Sequence, residues 1–136
     1  MNYMALAGLL EISGQEGTLP PLVGFQGADI VGSLQAVVGI QAALLEREKT
    51  GRGQFVDVSL CESAMILGVS SLSQGLAGGL GPRGSGHLDG GLPNYNIYST
   101  ADGKYLSVGA LEPHFWTKFC KFVDAEHIEK ASVEEV

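Results

Sequence analysis

The feature that most constrains this chain is a helix that cannot stand alone. From Asp29 to Lys49 the sequence reads DIVGSLQAVVGIQAALLEREK, with no charge between Asp29 and Glu46. Ile30, Leu34, Val37, Val38, Leu44 and Leu45 recur at helical spacing on one broad face. The charges gather at Glu46–Lys49, and Gly51 follows as a stop signal. A second stripe, Gly32, Ala36, Gly39 and Ala43, recurs at alternating spacings of four and three. Glycine inside a helix costs roughly 0.5–1 kcal/mol relative to alanine. Two such glycines point to close approach by another backbone; the plainer reading is two glycines tolerated in a buried helix.

That stretch also bears on where the chain can reside. Ser33, Gln35 and Gln41 interrupt the apolar run Ile30–Leu45, which falls short of the roughly 20 residues of a membrane span. It therefore reads as the buried helix of a soluble protein. No basic residue precedes Arg47, so the N-terminus lacks the charged start of a signal peptide. The net charge of −7 and the absence of a Lys/Arg cluster argue against a nucleic-acid surface and an anionic membrane surface. Cys61 and Cys120 lie far apart without C-x-x-C spacing and read as reduced thiols of a cytoplasmic-type protein. The 136 residues, 45% of them apolar, suffice for one packed domain.

Around the long helix the elements are shorter. Residues 2–12 predict a helix stopped by Gly14, and Pro20-Pro21 forces an extended loop after it. GQFVDVSL at 53–60 alternates as a strand, with Val56, Val58 and Leu60 on one side. Ser59 and Glu62 form an S-x-x-E capping box opening a helix to about Gln74. Residues 75–93 form a glycine-rich loop of a length that usually marks a functional lid or disorder. NYNIYST and KYLSVGAL, on either side of Asp102-Gly103, predict a β-hairpin. Pro113 opens a helix carrying Phe115, Trp116, Phe119 and Phe122, and residues 124–136 are polar.

Two carboxylates stand out. Asp29 reads as the N-cap of the long helix, yet an acid at a helix start among glycines can also serve as base or nucleophile, and the two roles are compatible. Glu112, between a strand and a Pro-initiated helix, reads first as an acid matched to the helix dipole. His114 beside aromatic residues reads as a half-buried structural histidine. His87 and His127 are scattered, which does not make a metal site. Phosphate-binding and nucleophile-elbow motifs are absent.

Taken together, NYMALAG, GADIVGSLQAVVGIQAALLEREKTGRGQFVDVSL and HLDGGLPNYNIYSTADGKYLSVGALEPHFW resemble the class III CoA-transferase family of CaiB/BaiF type, which includes the α-methylacyl-CoA racemases. The pieces span most of residues 2–116, and the last looks like the racemase branch. The resemblance implies an α/β fold that is an interlocked dimer in full-length members. It implies three parts here: 1–75 as the C-terminal part of a large α/β domain whose N-terminal nucleotide-binding portion is expected to be missing, 76–93 as the glycine loop, and 94–136 as the start of a small domain with a hairpin and a helix. Asp29 matches the family's active-site aspartate, an acid/base in racemases and an acyl-accepting nucleophile in transferases. Glu112 matches the glutamate that pairs with the racemase histidine. Gly90 and Gly91 sit where related transferases close a glycine loop over the thioester, and Asp89 and Tyr95 join them as substrate-binding candidates.

The implied substrate is a 2-methylacyl-CoA, with coenzyme A present only as part of that thioester and no separate cofactor or metal. A second copy of the chain is the implied partner. The family histidine, in G-H-D-x-N-Y, falls before Met1 when counted back from Tyr3. The chain is thus expected to be a central portion with negligible racemase activity by itself, its exposed apolar face favouring self-association. Two other readings remain: a CoA transferase with Asp29 as nucleophile, and a non-catalytic packing module.

Overall fold

A computed structural model describes residues 1–129, and the chain divides into two compact units. The first comprises Met1–Gly14 and Thr18–Leu80; the second comprises Gln15–Gly17 and the chain from Gly81 onward.

In the first unit, helix α1 (Asn2–Leu6) is shorter than the predicted 2–12, because turns take over at Ala7 and Gly8 adopts a φ of 77°. Helix α2 runs from Gly27 to Thr50 and ends at Gly51, whose N–H donates to the Arg47 carbonyl at 2.8 Å. Of the expected capping box the serine half forms: Ser59 Oγ accepts the Glu62 N–H at 3.2 Å and opens α3 (Leu60–Met65). A 3-10 turn at Ile66–Gly68 then separates α3 from α4 (Val69–Leu76), where a single helix is predicted. Met4, Ala7, Leu9, Ala28 and Ala64 form the core, with Ile12, Val23 and Cys61 packed around them.

Two expectations about α2 need correction. The helix is not buried: Leu34, Val38 and Leu45 are 61%, 59% and 67% exposed. What packs is the small-residue stripe, because only there does the backbone lie open to a neighbour. A side chain on Gly32 would collide with Leu60 Cδ2, and one on Gly39 would lie 2.8 Å from Val56 Cγ1. At 24 residues, α2 is also longer than the apolar run alone suggested, and its length and composition would allow it to cross a membrane.

The predicted strand at 53–60 is absent. Residues 52–59 have no regular structure, although Val56, Val58 and Leu60 keep their inward alternation and Phe55 and Asp57 face outward. A strand needs a partner's hydrogen-bond ladder, and this segment meets a helix instead.

In the second unit, β1 (Tyr95–Ser99) and β2 (Tyr105–Gly109) pair antiparallel, Ile97 opposite Ser107. In the connecting turn Lys104 Nζ lies 2.7 Å from Asp102 Oδ2, and Thr100 Oγ1 donates to Oδ1. Both hold the Asp102 carboxyl below its ordinary value of 3.8, Lys104 most of all. The contribution to the turn is complete above that value and fades as pH falls through the lowered one. Helix α5 (Pro113–Phe122) begins with Pro113 at its first turn as expected. It buries Trp116 and Cys120 against Val108 and Ala110, and Trp116 stacks on Phe119 with centroids 5.6 Å apart. Burying an aromatic of this size removes some 150–250 Å² from water, on the order of 4–6 kcal/mol before entropy is counted.

Asp124 takes the left-handed conformation, φ 55°, that closes α5. There Ala125 N–H donates to Cys120 O at 2.8 Å, as in a Schellman cap. A short helix α6 (Glu126–Glu129) follows; the polar stretch past residue 129 lies outside the described residues.

The contact at Gly32 yields a test. Gly32→Ala should destabilise the first unit by about 1–3 kcal/mol through overpacking, despite a helix-propensity gain of about 1 kcal/mol. In a Leu60→Ala background the same change should become stabilising. Urea unfolding followed by helical circular dichroism measures both, and additive effects of the two substitutions would refute the contact.

Candidate functional site

The first candidate, Asp29, stands at the third position of α2 and is exposed. It is not the N-cap; that is Gln26, whose side chain makes no capping bond, and the Gln26 carbonyl accepts the Ile30 N–H at 3.0 Å. The first turn is held from below. Gly27 and Ala28 are buried, and a side chain on Gly27 would lie 3.1–3.3 Å from Leu67, Phe25 and Met4. A rigid, wedged backbone thus carries an outward-facing carboxylate in the positive field of the helix start.

Glu112 also stands at a helix start, but just outside the helix, in the second unit. It is the N-cap residue of α5, exposed, and its side chain accepts no capping bond. Its carbonyl instead takes the Phe115 and Trp116 N–H groups at 3.0 and 3.1 Å. The segment leading to it is clamped: Ala110 N–H donates to Asn94 O at 2.8 Å, and Asn94 Nδ2 donates back to Ala110 O at 3.2 Å. Both acids are therefore presented by ordered backbone without being consumed as caps. His114, expected to be half-buried, is exposed, its ring tilted against Phe115 at 4.0 Å.

The substrate-binding candidates converge. A cleft of about 540 Å³ in the second unit is lined by Asp89, Gly90 and Tyr95 together with Gln15, Asn96 and Ser107, over an apolar surface from Leu88, Ile97 and Val108. Three of the four residues named from sequence thus share one cavity. The fourth, Gly91, is not among the lining residues but follows one of them. A side chain there would run into the Ser85 backbone and come within 2.7 Å of Gly86 O, and its N–H donates to Gly86 O at 3.0 Å. The loop is an ordered, tightly crossed turn rather than a structureless lid.

Gln15 and Asn96 were missed. Nothing in the sequence around Gln15 signals that it joins a loop some seventy residues later, because that meeting is purely tertiary. Asn96 carries a weak signal, an amide near the start of a strand, where Asn is disfavoured. Among the described residues no group of three or more His, Cys, Asp or Glu is placed to hold a metal ion.

Residues 1–135 match CoA-transferase family III, and the chain belongs to that family. The alpha-methylacyl-CoA racemase of Mus musculus is 41% identical over 97% of this chain and 35% of its own length. The succinyl-CoA:mesaconate CoA-transferase of Haloarcula hispanica is 32% identical over 88% of this chain and 30% of its own length. The crystal structure of a CAIB/BAIF family protein from Brucella suis superposes with a TM-score of 0.70 at 24% identity, over 94% of this chain and 34% of that one. The fold is therefore that of the CaiB/BaiF class III CoA-transferases, and the chain spans about a third of the length of the relatives it matches.

Two outcomes follow from the local geometry. Glu112→Ser should stabilise α5 by about 0.5–1 kcal/mol, since serine caps a helix that glutamate leaves uncapped; thermal unfolding reads the change, and a loss of stability would mean Glu112 has a structural partner. Gly91→Ala should open the loop, raising the rate of chymotrypsin cleavage after Leu88 about tenfold as followed by mass spectrometry. Unchanged cleavage would show that the Ser85 crossing yields easily.

Proposed function

We propose that this chain is part of an acyl-CoA enzyme that racemises 2-methylacyl-CoA thioesters by removing and returning the α-proton. The observation that carries the reading is the 41% identity to a racemase across nearly the whole chain, set beside an exposed, uncapped acid at each of the two positions the resemblance singles out. Racemisation needs a base on one face of the α-carbon and an acid on the other, with the enolate stabilised between them. Asp29 is one of these groups; Glu112 orients the imidazole of the other. Asp89, Gly90, Gly91 and Tyr95 bind the substrate around the thioester.

Coenzyme A enters only as part of the substrate, with no metal or further cofactor. The working state is a homodimer in the cytoplasm serving fatty-acid metabolism, without nucleic-acid or membrane partners. The exposed apolar face of α2 supports association, since surfaces of that kind are rarely left to water. A transferase reading is favoured by the 32% identity to a CoA-transferase. In it, Asp29 accepts the acyl group and Glu112 has no chemical role.

Grafting residues 1–136 in place of the matching third of the mouse racemase tests the choice. The folded chimera should wash deuterium from D₂O into the α-position of a 2-methylacyl-CoA, and Asp29→Asn should lower that rate by about 10²–10⁴. Exchange that survives Asp29→Asn refutes the racemase role of this residue. A hydroxylamine-trapped adduct at Asp29, found by mass, would establish the transferase instead.

A further inference from the structure

The cleft wall formed by the glycine loop is held by a side chain outside the loop. Within the loop, Gly84 N–H donates to Asp89 Oδ2 at 3.2 Å, Ser85 Oγ donates to Pro82 O at 2.7 Å, and Gly91 N–H donates to Gly86 O at 3.0 Å. These bonds close the loop on itself. Asn96, half-buried on β1, then ties it to the hairpin: Nδ2 donates to Gly90 O at 2.6 Å, and Oδ1 accepts the Ile97 N–H at 2.7 Å. The amide orientation is dictated by its neighbours, since a carbonyl can only accept and a backbone N–H can only donate. Gly90 is held at a φ of 111°, a conformation closed to ordinary side chains, and the peptide after it is gripped at both polar ends, its N–H by Gly86 O and its carbonyl by Asn96. The Gln15 side chain lies against both Gly84 and Gly90.

We infer that Asn96 is a positioning residue: with Gly86 O holding the N–H of the Gly90–Gly91 peptide, its bond to the Gly90 carbonyl anchors that peptide to the hairpin and so fixes the wall of the 540 Å³ cleft. The ligand of that wall, an acyl-CoA thioester, rests on the function proposed above; the latch itself does not. Asn96 touches the loop rather than any reacting atom, so its effect on a ligand passes through Gly90.

Amide hydrogen exchange on the 136-residue chain, resolved by NMR, separates a latch from general stabilisation. Asn96→Ala and Asn96→Asp should each accelerate exchange at Gly84 and Gly91 at least tenfold while Val108 and Cys120 in the unit's core stay unchanged. The aspartate variant keeps an oxygen for the Ile97 N–H but turns a second oxygen toward the Gly90 carbonyl, so it isolates the bond that matters. Unchanged loop exchange in either variant, or equal acceleration in the core, overturns the inference. Titration with acetyl-CoA supplies the second arm: shifts at Gly90 and Tyr95 in the unaltered chain, weakened about tenfold by Asn96→Ala. Absence of any shift in the unaltered chain would sink the acyl-CoA reading and leave the exchange result to decide the latch.

Discussion

Gly32 has no side chain, and because of that Leu60 can sit directly against the backbone of α2. The first unit is organised around this approach. Leu60 is the first residue of α3, so its position on α2 also sets where Ser59 caps α3 and where Ala64 enters the core beside Ala28. Seven residues on, Gly39 repeats the arrangement with Val56, so the segment entering α3 is guided along the same stripe. Any side chain at Gly32 would push Leu60 outward. The wedge of Met4, Phe25 and Leu67 around Gly27, which aims Asp29, belongs to the same packed end of the helix.

The second unit is arranged on a different principle. Its core is small, Val108 and Ala110 against Trp116 and Cys120, and to the backbone ladder of the hairpin it adds hydrogen bonds between side chains and backbone. Asn94 clamps the end of β2, Asn96 grips the loop, and Tyr98 donates its hydroxyl to Pro93 O at 2.7 Å. Such bonds are individually worth about 1 kcal/mol net, so they shape a surface more than they stabilise a fold. A cleft built this way is well defined in geometry and adjustable in energy.

The large apolar residues of α2 make sense against the length of the relatives. Ile30, Leu34, Val37 and Val38 are too numerous for a finished surface, and the small-residue stripe, not this face, meets the rest of the first unit. In a chain that spans a third of its family fold, a helix can satisfy one face and leave the other exposed. The hydropathy that made α2 look like an interior helix was a correct reading of composition but not of this unit's packing.

Local chemistry was legible from the residues themselves. The Ser59–Glu62 cap, the Asp102-Gly103 hairpin, the Pro113 helix start and the Gly51 stop all depend on atoms within a few positions of one another, and all formed where expected. The family, too, was written in linear motifs. What the linear order could not contain were partners. Residues 53–60 carry strand periodicity but meet a helix, so no ladder forms. Asp29 sits two residues past the helix start because Gly27 and Ala28 are drawn into the core. Gln15 reaches the glycine loop, and Asn96 holds it, only once the chain has folded back. Short-range bonds are decided by neighbours in sequence; burial, pairing and the shape of a cleft are decided by neighbours in space.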